Sequence, residues 1–357
     1  ESMDTSIATI EEIESYLEVP VLGVIPHIDR DGVLNALASQ NTHLSRDSLS
    51  SYAGLVAQFR PKSPVAEAYR SLRTNLEFSK LARPARSFLL TSSTLEEGKS
   101  TTVANLALAL AQDGKRVLVV ESDLRRPLIH TYFGLSREPG LTEILLGTLE
   151  WRNALRSLAD VFLGKLDMNS LILTPGLENL SFITSGTLPP NPAELLGAAP
   201  MRSFIREVTE EFDVVLFDSP PVLPVTDAAV LASQVDSVLL VYQLGRAGRG
   251  LLKRAKSHLQ TVQADLRGVV LNDIKAEVSD FSPAESYYQY YSRYSEDKDA
   301  ASRTPLQRAV HTVRHRFRNR SSQRSRTTTD AKGARDAGGG GSEYEDVLNV
   351  TNDTDRT

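Results

Sequence analysis

Cysteine is absent from all 357 residues. That excludes disulfides, cysteine-ligated zinc and iron–sulfur clusters, and it fits a cytosolic compartment. No apolar run approaches the ~18–20 residues of a membrane span. The opening Glu1-Ser2-Met3-Asp4 is acidic, lacks an initiator Met and carries no secretory-leader pattern, so a piece cut from a longer chain is expected. An excess of positive charge is missing too: the net charge is −5, which argues against a nucleic-acid protein. What is present in quantity is apolar side chain, 41% of residues, ample for one domain of about 200–250 residues plus tails.

The chain is organised around residues 87–126. Ser87–Thr91 is a short apolar strand, and Ser92–Lys99 is a turn of small residues and Gly. Ser100–Gln112 carries Val103, Leu106, Ala107, Leu110 and Ala111 at helical spacing. Asp113-Gly114 stops that helix, because Gly supplies a left-handed exit. Val117–Val120 is a continuous apolar run, as in a strand buried on both faces. A loop that opens directly into a helix presents free backbone N–H groups and the positive end of the dipole to an anion. Gly98-Lys99-Ser100-Thr101 is the Gly-Lys-Ser/Thr end of a phosphate-binding loop, in which the Lys reaches phosphates and the hydroxyl after it ligates Mg²⁺. The first Gly of the full pattern is replaced by Ser93. Alone the tetrapeptide is weak; its place between a strand and a helix makes it a nucleotide site.

Before this unit, Ile7–Leu17 reads as a short amphipathic helix and Val19–Pro26 as an apolar segment, and residues 27–60 read as a loop with little core. Pro64–Phe78 is a helix whose one face carries Val65, Tyr69, Leu72 and Leu76. After it come a helix at Leu141–Gly147, an irregular stretch over 151–179, and a strand at Leu180–Thr184. Asn191 is placed to cap a helix starting at Pro192, and Met201–Glu211 is the next helix. Val214–Phe217 is an apolar strand ending in Asp218. Asp227–Ala232 is a helix, Ser237–Tyr242 a strand, Leu251–Leu266 a helix and Gly268–Leu271 a last strand. Alternating strands and helices predict an α/β fold: a doubly wound, mostly parallel sheet with helices on both faces, followed by a disordered C-terminal tail. Ligands of such sheets lie beyond the C-terminal strand edges, where Lys99, Glu121, Asp123 and Asp218 all fall.

Strand-end acids are often N-caps or solvated. Three beside a Lys-Ser-Thr loop suit Mg²⁺ with ATP, which needs oxygen ligands and charge neutralisation. Asp218 ends its strand as a Walker B Asp does. Glu67, Arg70 and Arg73 fall at i, i+3 and i+6; read alone, they are a salt-bridged helix surface. Of 11 tyrosines, five (Tyr287, Tyr288, Tyr290, Tyr291, Tyr294) lie within 287–294, interleaved with Ser, Gln and Arg and without strand or helix period. Residues 301–326 hold eight Arg and no acid, and 305–320 reads as a basic amphipathic helix suited to an anionic membrane surface.

In their chain order these pieces resemble the bacterial tyrosine autokinases of capsule and exopolysaccharide assembly, the BY-kinases, which are P-loop ATPases related to the MinD/ParA class. The resemblance covers 62–295, with a family-like lead-in at 7–26. Gly98–Thr101 resembles Walker A, ESDLRRP at 121–127 the second acidic motif, and LFDSPP at 216–221 the Walker B form. Glu67, Arg70 and Arg73 match the E-x-x-R-x-x-R self-association helix, and 287–294 the autophosphorylation cluster. The resemblance implies ATP on Glu97, Gly98, Lys99, Ser100 and Thr101, and Mg²⁺ on Ser100, Asp123 and Asp218. It makes Glu121 the base for the tyrosine hydroxyl. It also implies trans phosphorylation within a ring-shaped homo-oligomer, a transmembrane chain-length regulator upstream in the same or a partner chain, and a partner tyrosine phosphatase. The place implied is the cytoplasmic face of the bacterial inner membrane, and the process is polysaccharide polymerisation and export. The organisation expected is a lead-in at 1–60, a kinase domain at 61–285, the tyrosine cluster at 286–295, and a basic then low-complexity tail at 296–357. Two departures stand out: Leu95-Glu96 where the family has Pro-Gly, and Glu121 where it has Asp. They keep open a catalytically weak nucleotide-gated scaffold, and the alternative beside it is a ParA/MinD-like positioning ATPase. The second requires a Lys where this chain has Thr94. Asn272, after the last strand, is a candidate for adenine contact.

Overall fold

The structure, a computed structural model, describes residues 10–29, 31–34, 54–157 and 176–274. The tyrosine cluster and the basic tail lie outside the described residues. Among the described residues eight strands form one sheet: β1 (Val21–Pro26), β2 (Ser87–Ser92), β3 (Val117–Glu121), β4 (Arg156–Ser157), β5 (Leu180–Ile183), β6 (Val214–Asp218), β7 (Ser237–Gln243) and β8 (Leu266–Ile274). Their order is β1-β8-β7-β2-β6-β3-β5-β4. All pairs are parallel except β4 with β5. Parallel strands need helical crossovers, and helices accordingly cover both faces.

Strand alternation sorts the core into two layers. In β2, Phe88 and Leu90 join the helices Pro64–Ala82 and Lys99–Gln112, while Leu89 joins the helices Ala199–Glu211 and Arg249–Thr261 on the other face. The expected doubly wound sheet is therefore present. Several boundaries move. The last helix is Arg249–Thr261, and Leu266 belongs to β8. Asn191 does not cap the helix Pro192–Gly197 with its side chain; its amide donates to Glu194 instead, at 3.1 Å.

The expected boundary at residue 60 does not separate two cores. β1 is an edge strand on β8, and Ile13 and Leu17 of the helix Ile10–Leu17 are fully buried. Prolines at 20 and 26 are tolerated because an edge strand needs donors on one side only. Leu55, Val56 and Ala57, from the segment expected to be a loop with little core, are also buried. They are held by Asn105 of the helix Lys99–Gln112, whose Oδ1 accepts from Ala57 N at 2.9 Å and whose Nδ2 donates to Gly54 O at 2.7 Å.

Candidate functional site

The loop between β2 and the helix Lys99–Gln112 turns at Gly98, which caps the helix with φ +89°. A Cβ there would lie 2.0 Å from Nδ2 of Asn272. Gly is therefore required twice, for the left-handed backbone and for the close approach. Lys99 follows and is nearly buried. Ser100 donates its hydroxyl hydrogen to Asp218 Oδ2 at 2.7 Å, joining the two strand-end motifs directly.

Asp218 is fully buried, and burial pushes its carboxyl up to about 7. The Ser100 hydrogen bond and Lys99 pull the other way, and Asp123 and Glu121 push further up. Its second oxygen, Oδ1, has no hydrogen-bond partner. A buried carboxylate oxygen without a partner, beside a hydroxyl and a Lys, fits a hard divalent cation, which takes oxygen ligands and lowers the cost of ionising the acid. Among the described residues no three His, Cys, Asp or Glu side chains form a cage. Mg²⁺ needs none, since one or two carboxylates plus substrate phosphates and waters complete its shell.

Asp123 is 8% exposed and fixed from behind: its Oδ1 accepts from the backbone N–H of Arg126 at 2.9 Å and of Arg125 at 3.2 Å. Arg125 grips the buried Asp227 through two bonds of 2.8 and 3.0 Å. Around these groups lies a cavity of about 840 Å³, whose wall includes Gly98, Lys99, Ser100, Thr101, Asp123 and Arg126. The segment after β1 supplies His27 and Asp29, and the ends of β7 and β8 supply Gln243 and Asn272.

Two expected site residues are placed elsewhere. Glu121 does not line this cavity. It is fully buried, and its carboxylate accepts from His130 N at 3.1 Å and Ser185 N at 3.0 Å and pairs with His130 Nδ1 at 3.0 Å. It ties the first turn of the helix Ile129–Phe133 to Ser185, just after β5. The Glu97 side chain also turns inward. It accepts from Thr94 N at 2.5 Å, Thr94 Oγ1 at 2.9 Å and Gln243 N at 3.1 Å, and burial raises its pKa. Of Glu97, only the backbone is left for an anion. Glu96 points outward, 77% exposed, and pairs with Arg246, whose Nε donates to Leu95 O at 3.1 Å. The Glu97 carboxylate is thus turned away from the phosphate position, and that of Glu96 is paired with Arg246.

Glu67, Arg70 and Arg73 are engaged within the chain. Arg70 pairs with Glu67 and donates to Pro61 O, while Arg73 donates to Ala109 O at 3.1 Å and pairs with Asp113 at 3.3 Å. Asn272 lines the cavity and donates to Glu97 O at 3.0 Å, so it supports the loop from below. Sequence reasoning missed Gln243, Arg246 and Tyr132, whose hydroxyl lies 3.2 Å from Thr101 Oγ1. For Gln243 the signal was available: it ends a parallel strand at the edge where ligands bind.

Residues 97–268 match the family model described as an AAA domain. The chain is 37% identical over 237 residues to the tyrosine-protein kinase YwqD of Bacillus subtilis (strain 168), a match covering 66% of this chain and 90% of that protein. It is 35% identical over 284 residues to the putative tyrosine-protein kinase EpsB of Ralstonia nicotianae, covering 80% of this chain but only 34% of that longer protein. Among solved structures, the BceF tyrosine kinase domain is 34% identical, with a TM-score of 0.61, and is matched over 75% of this chain and 99% of that one.

Proposed function

Because the chain belongs to the bacterial tyrosine-protein kinases, we propose that it transfers the γ-phosphoryl group of ATP to its own tyrosine cluster, Tyr287, Tyr288, Tyr290, Tyr291 and Tyr294. The observation that carries this is that Lys99 and Ser100 line the cavity and the Ser100 hydroxyl is bonded to the buried Asp218 behind them. ATP would lie with its phosphates on Lys99 and the backbone of residues 97–101, at the N-terminus of a 14-residue helix. Ser100 and Asp218 would hold Mg²⁺, with Asp123 on its water shell. When bound, the metal neutralises charge on the β and γ phosphates.

The tyrosine oxygen forms the new bond to phosphorus, the bond to the β,γ-bridging oxygen breaks, and ADP leaves with that electron pair. The phenolic proton needs an acceptor within reach. Glu121 is bonded on both oxygens and does not line the cavity, so we assign this role to Asp123, which lines it and whose backbone bonds fall on Oδ1. Lys99 and the loop N–H groups hold the charge that develops on the transferring oxygens.

The wider setting is proposed on the same membership. Transfer occurs in trans within a ring-shaped homo-oligomer at the cytoplasmic face of the inner membrane, next to a transmembrane chain-length regulator. It governs capsular or exopolysaccharide polymerisation and export, and a tyrosine phosphatase resets it. Glu67, Arg70 and Arg73 would join subunits, and residues 305–320 would contact anionic lipid. Five phosphotyrosines would add roughly −7.5 to −10 charges, enough repulsion to open such a ring.

The test is intact mass before and after Mg·ATP, beside Lys99→Ala. Phosphate additions mapping to 287–294 in the parent and absent in Lys99→Ala are expected. Nucleotide binding without any addition would overturn the kinase reading. It would favour a nucleotide-gated scaffold, the reading to which the burial of Glu121 lends support.

A further inference from the structure

We propose that Arg126 is a catalytic residue: the cation that meets the transferring phosphoryl group from the wall built after β3. This rests on the phosphoryl transfer proposed above. The sequence offers two adjacent arginines in ESDLRRP, and the structure separates them. Arg125 is held by Asp227 in a two-bond clasp, with its partner fully buried, and it does not line the cavity. Arg126 is exposed and lines the cavity, and its side chain has no ion pair or hydrogen bond among the described residues.

Its main chain, by contrast, is fixed. Its N–H donates to Asp123 Oδ1 at 2.9 Å, and Pro127 follows, which restricts the backbone of Arg126 to extended conformations. A rigid backbone beside the metal-side carboxylate thus presents an unengaged guanidinium to the cavity. Of the three Lys and Arg side chains on its wall, Arg246 pairs with Glu96 and Lys99 stands at the head of the phosphate helix. Among the described residues, that leaves Arg126 to answer negative charge from the wall built after β3.

In the transfer, charge spreads over three equatorial oxygens of the phosphoryl group while the tyrosine oxygen and the bridging oxygen lie in line. A guanidinium can span two of those oxygens, which a Lys ammonium cannot. A contact formed chiefly with the planar, in-flight group raises kcat without tightening ground-state nucleotide binding.

The experiment compares the full chain with Arg126→Ala, Arg126→Lys and Arg125→Ala. It reads MgADP affinity, affinity for MgADP with aluminium fluoride as the transition-state mimic, thermal midpoint, and the single-turnover rate of tyrosine phosphorylation. For Arg126→Ala the expected results are a rate down by about 10²–10³-fold and a comparable loss of aluminium-fluoride affinity. MgADP affinity should stay within about threefold and the midpoint should not move. Arg126→Lys should recover part of the rate, and Arg125→Ala should lower the midpoint. An Arg126→Ala rate within threefold of an active parent overturns the proposal. So does a loss of MgADP affinity as large as the loss of rate. A parent that binds the aluminium-fluoride complex but phosphorylates no tyrosine overturns the kinase reading, and the catalytic role of Arg126 falls with it.

Discussion

The phosphate loop after β2 and the acidic loop after β3 flank the end of β6, and they divide their labour in opposite ways. In the phosphate loop, up to Gly98, the side chains brace and the backbone is left for the ligand. Glu97 turns inward onto Thr94 and Gln243, Asn272 holds the Glu97 carbonyl, and N–H groups at the helix start stay available. In the acidic loop the backbone braces and the side chains face the ligand. The N–H groups of Arg125 and Arg126 close on Asp123, and Asp123 and Arg126 line the cavity. A loop that works through its backbone tolerates unusual side chains so long as its path holds. That is how Leu95, Glu96 and Glu97 are accommodated. A loop that works through its side chains has no such tolerance.

The sharpest break of this comparison is Gly98→Ala, which attacks the backbone path. The added Cβ meets Asn272 at 2.0 Å on a residue at φ +89°. Asn272 must then leave the Glu97 carbonyl. A loss of roughly 3–5 kcal/mol of stability is expected from strain and the unmade bond together. Isothermal titration should also find MgADP affinity reduced by more than about 10²-fold, because the loop N–H groups lose their common direction. An affinity within threefold of the parent would show that the path is not rigid.

Next in size is the pH dependence of the metal-free chain, which isolates Asp218, the acid that both loops surround. Its folded pKa, about 7, lies above the ordinary value of 3.8. The folded state therefore holds this proton more tightly than the unfolded state, and stability falls as pH rises from about 4 to about 7. Asp218→Asn removes that term. At pH 8 without metal the variant should be more stable than the parent by roughly 2–4 kcal/mol, and the gain should fade toward pH 4. Urea unfolding at both pH values checks it. With saturating Mg²⁺ the order should reverse, since only the parent can bind the ion. Arg125→Ala probes the clasp of the acidic loop. It leaves Asp227 buried and unpaired, but Arg125 is 42% exposed, so the expected cost is only about 1–3 kcal/mol.

The same division explains what the sequence could and could not tell. Strands β2, β3, β6 and β7 were legible because each is an apolar run ended by a polar residue, as burial on both faces requires. No Gly or Pro marks the end of the last helix, so in sequence its pattern runs on to Leu266 although the helix ends at Thr261. The left-handed turn that a Gly usually makes falls on Gln263, at φ +56°. The phosphate loop was legible as a motif, since Gly98 and Lys99 have few substitutes. The inward turn of Glu97 was not, because its partner Gln243 lies 146 residues away. Glu121 and Asp123 look alike in sequence, both acids at one strand end. What separates them is His130 and Ser185 closing over Glu121, a contact set by tertiary packing and invisible to local pattern.

The smallest expected effect is also the finest test of the comparison. Glu96 holds a left-handed backbone, φ +60°, in the position where the loops it resembles in sequence carry Gly. Replacing it by Gly relieves about 1 kcal/mol of conformational strain. It also removes the pair with Arg246, but that carboxylate is 77% exposed, and an ion pair so open to water is worth well under about 1 kcal/mol. The greater freedom of Gly in the unfolded chain offsets part of the gain. Glu96→Gly should therefore change stability by less than about 0.5 kcal/mol, within reach of paired denaturant curves. MgADP affinity should hold or rise slightly, because one carboxylate leaves the neighbourhood of a polyanion. Arg246→Ala gives the counterpart, loosening Leu95 without relieving Glu96, and should lower affinity by about two- to threefold. If instead Glu96→Gly lost affinity tenfold, Glu96 would be acting on the nucleotide through its side chain. The phosphate loop would then have to be read as the acidic loop is.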